Sequence, residues 1–214
     1  MMSTKNEFFE RNGYLVLSKL VRNPQDLRLP VPIDENGKRI TGVFKHLRKD
    51  KIITFPCEQV DGSYDRYNYP HYKELHYQLI PVLEMALGVD VLPTYYFERF
   101  YCAGSELKKH VDRPSCEISV TLQISSNTEQ WPIWFERPDG SNVSVSLNDG
   151  DAIVYKGMDI VHWREPFPSR HGRRRRIWNK IRRKEDDTYQ HQIFLHYVNA
   201  QGNHVDCAND PENK

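Results

Sequence analysis

A chain of 214 residues, 38% hydrophobic and 28% charged, is the size of one domain that buries roughly 70% of its unfolded surface. A net charge of +1 gives no global field to draw it to nucleic acid or an anionic membrane, and no run approaches the ~18 apolar residues of a spanning helix. The polar first twelve residues lack the apolar core of a secretory signal. The four cysteines (Cys57, Cys102, Cys116, Cys207) form no C-x-x-C pair, which points to thiols in a reducing compartment and a cytoplasmic protein.

Residues Asn6–Arg11 read as a short helix stopped by Gly13, and Tyr14–Leu17 as a strand. Residues 22–70 are rich in turn formers, among them Pro24, Pro30, Pro32, Gly37 and Gly62, and give no usable periodicity. Tyr72, Leu75, Leu79, Leu83 and Leu87 keep helical spacing, which predicts a helix over Pro70–Leu87. Gly88 is its stop, and Pro81 should kink or split it. From Leu92 onward the pattern is one of strands: 93–101, 116–124, 131–136, 142–147, 151–156, 160–164 and 190–198. Pro138-Asp139-Gly140 and Asn148-Asp149-Gly150 mark turns between them.

Many short strands at this spacing predict a sandwich or barrel. The expected fold class is α+β, mainly β: a double-stranded β-helix, or jelly roll, over residues 92–199, with N-terminal helices packed on its outer face. One domain would span 1–214, with 1–91 as a helical and irregular support region. Between the last two strands lies a basic insertion. Residues 169–184 hold nine Lys or Arg and no acid; subtracting these nine from the net +1 leaves −8 for the rest. Such a run reads first as a solvated loop. Its Ile177, Trp178 and Ile181 are spaced for one helical face, so a lid helix is the second reading, and docking of a polyanion such as RNA or DNA the third.

The chemistry-bearing feature is His110-Val111-Asp112, answered fifty residues later by His162. Side chains alternate along a strand, so His110 and Asp112 face the same way. The run Gly150–Gly157 reads as a strand entering a turn and delivers His162 from elsewhere. Two imidazoles and one carboxylate with open positions form the donor set of non-haem Fe(II) sites. The same donors with a water would suit zinc; the jelly-roll pattern favours iron.

The stretch Tyr101-x8-His110-Val111-Asp112-Arg113, then Trp131-Pro132-Ile133, then Gly150-Asp151 leading to His162-Trp163-Arg164-Glu165-Pro166, resembles the Fe(II)- and 2-oxoglutarate-dependent oxygenases. Gln192–Val198 fits the closing strand of that fold, and Phe8–Leu20 resembles the opening helix and strand of several members. The motif-bearing part covers roughly residues 92–199. The resemblance implies Fe(II) on His110, Asp112 and His162, with 2-oxoglutarate and O2 completing the site. It implies hydroxylation of an amino acid, a peptidyl side chain or a small natural product, with release of succinate and CO2. Halogenation is disfavoured, because related halogenases lack the carboxylate that Asp112 supplies.

Most members hold the far carboxylate of 2-oxoglutarate with a basic residue about ten positions past the distal His. Here the closing strand opens Tyr189-Gln190-His191 and offers none. Arg164, two residues after His162 and on its face, takes that role, with Arg170, Arg173 and Arg174 as alternatives. Tyr101 is assigned to core packing first and to a cosubstrate hydrogen bond second. Arg113 faces either an acidic substrate group or solvent. His196 lies on the last strand, on a face the sequence leaves open. Two other classes stand beside this reading: an oxygenase acting on nucleic acid through residues 170–184, and a non-catalytic metal-binding jelly roll. No membrane partner is expected, and the sequence does not give the oligomeric state.

Overall fold

The computed structural model describes residues 4–30, 33–35, 39–46, 52–55, 57, 59–169 and 186–209. Apart from Ser169, the basic insertion lies outside them, and with it Arg170, Arg173 and Arg174. Helix α1 (Thr4–Asn12) leads into strand β1 (Tyr14–Leu17), as predicted. The helix expected over 70–87 is split into a 3-10 turn (Pro70–Tyr72), α2 (Lys73–Gln78) and α3 (Ile80–Leu87). The break at Leu79 comes just before Pro81, which sits in the first turn of α3, where a missing N–H costs no hydrogen bond.

Gly88 closes α3 in the left-handed region at φ 72°, its N–H donating to Glu84 O at 2.8 Å. The Asn6 side chain of α1 donates to Leu87 O at 2.6 Å there. A Cβ on Gly88 would lie 2.3 Å from Asn6 Nδ2. Backbone sign and helix approach both demand glycine at this point.

Residues 42–67, expected to be irregular, hold three strands: β2 (Gly42–His46), β3 (Ile52–Phe55) and β4 (Tyr64–Tyr67). They are short, and β2 pairs in parallel with β4 across an intervening strand. Non-local pairing of this kind leaves no periodic trace in so short a segment. The remaining strands are β5 (Val91–Cys102), β6 (Leu107–His110), β7 (Ile118–Ser126), β8 (Ile133–Glu136), β9 (Asn142–Val145), β10 (Ala152–Lys156), β11 (His162–Arg164) and β12 (Tyr189–Asn199). The strand expected at 116–124 begins two residues later, because Pro114–Cys116 forms a 3-10 turn.

Eight strands form one sheet in the order β1-β10-β7-β12-β5-β4-β2-β3, and four form a second, β6-β11-β8-β9. The fold is a mainly β jelly roll with helices on its outer face. The alternation along β7 shows how the layers are built. Ile118, Val120, Leu122 and Ile124 face outward into one apolar cluster with Phe9 of α1 and Leu83 and Leu87 of α3. Ser119, Thr121, Gln123 and Ser125 are the intervening residues and are buried too. On β5, Tyr95, Phe97 and Tyr101 join an inner cluster with Trp131, Phe167 and Phe194. The strands β5, β7, β10 and β12 are buried on both faces, and the inner face is partly polar.

The outer face also buries charge. Glu98, fully enclosed, accepts from Arg66 Nε and the Tyr72 hydroxyl, and lies 2.8 Å from His191 Nε2. Burial would raise its pKa, but His191, Arg66 and Tyr72 together hold it below the usual range. No helix among the described residues is long and apolar enough to cross a membrane.

His76 of α2 makes a prediction about acid stability. Its Nε2 lies 2.9 Å from His196 O, and its ring packs against Tyr96 and Tyr197. Burial pushes its pKa from 6.5 down to about 4, against the opposing effect of that hydrogen bond. The unfolded chain therefore takes up this proton at a higher pH than the fold does. The His76 contribution is complete above pH 6.5 and is lost as pH falls toward 4, by up to about 1.4 kcal/mol per pH unit. His76→Gln removes the titration and should flatten the stability curve across this window, measured by urea unfolding. An unchanged slope would show that other groups carry the acid response.

Candidate metal centre

The small sheet brings the sequence motif together. β6 and β11 are antiparallel neighbours with His110 directly opposite His162, and their ring centroids lie 4.2 Å apart. Asp112 Oδ1 is 3.6 Å from Nε2 of each imidazole. The three ligand atoms all fall within 4.8 Å of one another.

One assumption needs correction. β6 ends at His110, so Asp112 is not on a strand. Its N–H donates instead to Gly157 O at 2.8 Å, in the turn after β10. The alternation persists beyond the strand end: Val111 is 48% exposed, while Asp112 points inward.

Both imidazoles are oriented for ligation. His110 Nδ1 lies 2.8 Å from Lys108 O, and His162 Nδ1 3.0 Å from Ile160 O. A carbonyl can only accept, so each Nδ1 carries the proton and each Nε2 is free to present a lone pair. Backbone carbonyls thus set the ligating tautomer.

Burial pushes the His162 pKa down, while at His110 the nearby Asp112 carboxylate and the Lys108 carbonyl together outweigh burial and raise it. Burial alone would raise Asp112, but His110, His162, His196 and Ser119 hold it below its ordinary value. Three electron-pair donors aimed at one point repel unless a cation or proton sits among them. The donor set fits a divalent metal.

Other residues fix Asp112 from behind. Ser119 Oγ donates to Asp112 Oδ2 at 2.8 Å and also lies 3.0 Å from His196 Nδ1. His196 faces inward, stacked on Tyr95 with centroids 4.5 Å apart; burial pushes its pKa down to about 3. Cys116 Sγ lies 3.1 Å from the Tyr95 hydroxyl, and burial pushes the thiol up to about 12.

Gly157 allows this close packing. A Cβ there would lie 2.2 Å from Cys116 O and 2.6 Å from Asp112 Oδ2. Gly157→Ala must part these segments. We expect a loss of roughly 1–3 kcal/mol in stability by thermal melting, and a fall of about tenfold or more in metal affinity by titration. Wild-type affinity in this variant would mean the turn yields without moving Asp112.

Arg164, on the same strand as His162, is 2% exposed. Its Nη1 donates to Trp131 O at 2.6 Å and its Nη2 to Gln192 Oε1 at 3.0 Å. Both partners are neutral, and no carboxylate among the described residues forms an ion pair with it. Among the described residues neither its Nε nor the buried Tyr101 hydroxyl has a well-formed hydrogen bond, and the hydroxyl lies near enough to the guanidinium to oppose the effect of burial on it. The guanidinium lies 4.9 Å from the Trp131 ring centroid and 5.9 Å from that of Tyr101. Burial lowers its pKa. A buried cation beside a buried hydroxyl has the chemistry to hold an anion.

The Tyr101 ring packs edge-on against Trp131, 5.0 Å between centroids, and its hydroxyl lies beside Arg164. Arg113 is exposed and stacks over Tyr95, 4.5 Å from the ring centroid. Sequence reasoning missed Gln192, Ser119 and Gly157. Residues of these types are common in any sheet or turn and carry no spacing signal.

No protein-family model matches the sequence, and no curated protein matches it. Solved structures share its fold at low identity. AviO1 from Streptomyces viridochromogenes Tue57 is 16% identical, with a TM-score of 0.60 over 92% of this chain and 95% of that one. The non-heme alpha ketoglutarate dependent carbocyclase SnoK from nogalamycin biosynthesis is 11% identical, with a TM-score of 0.60 over 98% and 93%. HygX from Streptomyces hygroscopicus, with nickel and 2-oxoglutarate bound, is 9% identical, with a TM-score of 0.57 over 94% and 89%. What these proteins have in common with this chain is the jelly-roll fold.

Proposed function

We propose that this protein is an Fe(II)- and 2-oxoglutarate-dependent oxygenase that hydroxylates a small molecule or a peptidyl side chain. One observation carries the reading. Two imidazoles and a carboxylate converge within 4.8 Å inside the same roll as a buried guanidinium that has no acid partner among the described residues. The donor set suits a metal and the buried guanidinium suits an anion. A cosubstrate that chelates iron at one end and carries a carboxylate at the other answers both. The solved structures of the same fold support the reading, since one binds nickel with 2-oxoglutarate and another depends on that acid.

Within this reading His110, Asp112 and His162 hold Fe(II), and Arg164 with Tyr101 takes the far carboxylate. When bound, iron, 2-oxoglutarate and O2 would supply the oxidising power for attack on an unactivated C–H bond, with succinate and CO2 as co-products. The chain's own residues supply position and dryness. Lys108 O and Ile160 O keep the imidazoles in the ligating tautomer. Ser119 orients the carboxylate. Tyr67, Tyr95, Phe97 and Phe194 stack into an aromatic wall that excludes water.

The choice between hydroxylation and another outcome, such as the ring closure catalysed by SnoK, depends on how the substrate is held. The test is anaerobic titration with Fe(II) and 2-oxoglutarate, followed in the visible charge-transfer region. A substrate screen for succinate release under O2 then follows. A band and substrate-stimulated succinate support the proposal; a protein that binds metal but gives neither is a binding protein.

A further inference from the structure

The segment ahead of β4 reaches the metal centre, although nothing in its sequence marks it. Gln59 Nε2 lies 3.3 Å from His110 Nε2, the nitrogen whose lone pair is free for a metal. Gln59 Oε1 accepts from Arg99 Nη1 at 3.0 Å. An amide can be built either way round, but a guanidinium only donates, so the oxygen must face Arg99 and the NH2 must face His110. Arg99 is itself held. Its Nε and Nη2 donate to Asp65 at 2.8 and 2.7 Å, and the pair is buried. Ser63 and Cys57 donate to the same carboxylate at 3.2 and 3.3 Å. A buried ion pair thus aims an exposed amide at a metal ligand.

Metal binding changes what that amide can do. Once His110 gives its lone pair to a cation, the Gln59 N–H loses its acceptor while Arg99 still holds its oxygen. The donor then needs an acceptor beside the metal. The same walls enclose the anion site: Arg99 and Arg164 lie 5.6 and 5.9 Å from the one Tyr101 ring, and Arg99 pairs across the sheet with Gln192, the partner of Arg164. On the proposed reading, a dicarboxylate would meet the Gln59 amide at its metal end and the Arg164 guanidinium at the other.

We propose that Gln59 is a cosubstrate-binding residue whose amide donates to the metal-side carboxylate of 2-oxoglutarate, with Arg99 and Asp65 as its positioning residues. This rests on the reading of the site as a metal and 2-oxoglutarate centre.

The experiment compares wild type, Gln59→Leu and Gln59→Glu under anaerobic conditions. Gln59 is exposed, so neither change threatens the fold. In Gln59→Leu the dissociation constant for 2-oxoglutarate on the Fe(II) protein should rise about tenfold, the loss of one charge-assisted hydrogen bond. The visible charge-transfer band should shift, while Fe(II) affinity holds or tightens slightly because His110 has lost a competing donor. In Gln59→Glu a carboxylate is aimed at the metal, and Co(II) affinity should rise by about tenfold or more. An unmoved band with 2-oxoglutarate affinity within about twofold of wild type in Gln59→Leu would overturn the proposal. So would unchanged Co(II) affinity in Gln59→Glu. If wild type gives no band, the cosubstrate reading and its role for Gln59 both fail. The Co(II) comparison then still decides whether the amide faces the metal.

Discussion

Asp112→Ala is expected to abolish stoichiometric binding of Fe(II) while leaving the jelly roll folded. Asp112 is the one anionic donor at the centre among the described residues, with an oxygen 3.6 Å from Nε2 of both His110 and His162. Without it, two neutral imidazoles remain on paired strands, with no anionic donor between them to offset the charge of the ion. Affinity should fall by about hundredfold or more, by the scale of losing a charged ligand. The fold should survive, because the apolar clusters that hold the sheets together do not include Asp112. Ser119 and Gly157 lose contacts at the centre's rear, which costs at most a few kcal/mol. Asp112→Asn is the finer test. It retains an acceptor for Ser119 and removes the charge, so it should fold as well as wild type and still bind iron poorly. Equilibrium dialysis with metal analysis, alongside circular dichroism, reads both quantities. Full stoichiometry in both variants would remove Asp112 from the centre. Replacing His110 or His162 with Ala should act in the same direction.

Arg164→Met should separate cosubstrate binding from stability. Methionine keeps length and apolar contact with Trp131 and removes the charge and all donors. On the proposed reading the far carboxylate of 2-oxoglutarate loses a forked, charge-assisted partner, and its affinity should fall by on the order of hundredfold. The protein without cosubstrate should not suffer in proportion. It now encloses a guanidinium whose described partners, Trp131 O and Gln192 Oε1, are both uncharged. An uncompensated buried charge costs several kcal/mol, whereas leaving those two acceptors unpaired costs about 1–3 kcal/mol each. The melting temperature without ligand should therefore stay close to that of wild type or rise, while the stabilisation normally gained on adding 2-oxoglutarate disappears. Arg164→Lys keeps the charge without the fork and should fall between. If Arg164→Met binds 2-oxoglutarate normally, and changes at Arg173 or Arg174 abolish binding, the anchor lies in the basic insertion.

Several parts of this protein were legible because their signals are local. Leu83 and Leu87 keep the period of a helix, and Val120, Leu122 and Ile124 keep the period of a half-apolar strand, whatever packs on them. His110 and Asp112 stand out as candidate ligands by residue type and spacing, once the strand context and His162 are taken with them. The boundary errors are equally physical. Pro114 delays β7 by two residues with a 3-10 turn, and β6 ends one residue before Val111, so the geometry of Asp112 comes from a backbone bond to Gly157 rather than from a strand.

By itself the sequence determined the roll and the helices on its back, since these depend on side-chain type repeated at a fixed local interval, and it marked His110, Asp112 and His162 as candidate ligands by residue type and strand context. The tertiary structure alone decided which groups face those ligands. β2–β4 enter the large sheet through pairings with no local periodicity. Ser119, Gln192 and Gly157 are neutral residues whose importance lies in what a distant segment brings against them. Gln59 acquires direction only because Arg99 and Asp65, from two other strands, hold its amide. Arg164 could be proposed from its spacing, but that it lies buried beside neutral partners is a property of the enclosed volume. Burial and partnership depend on contacts between residues far apart in the chain, and no local interval records them.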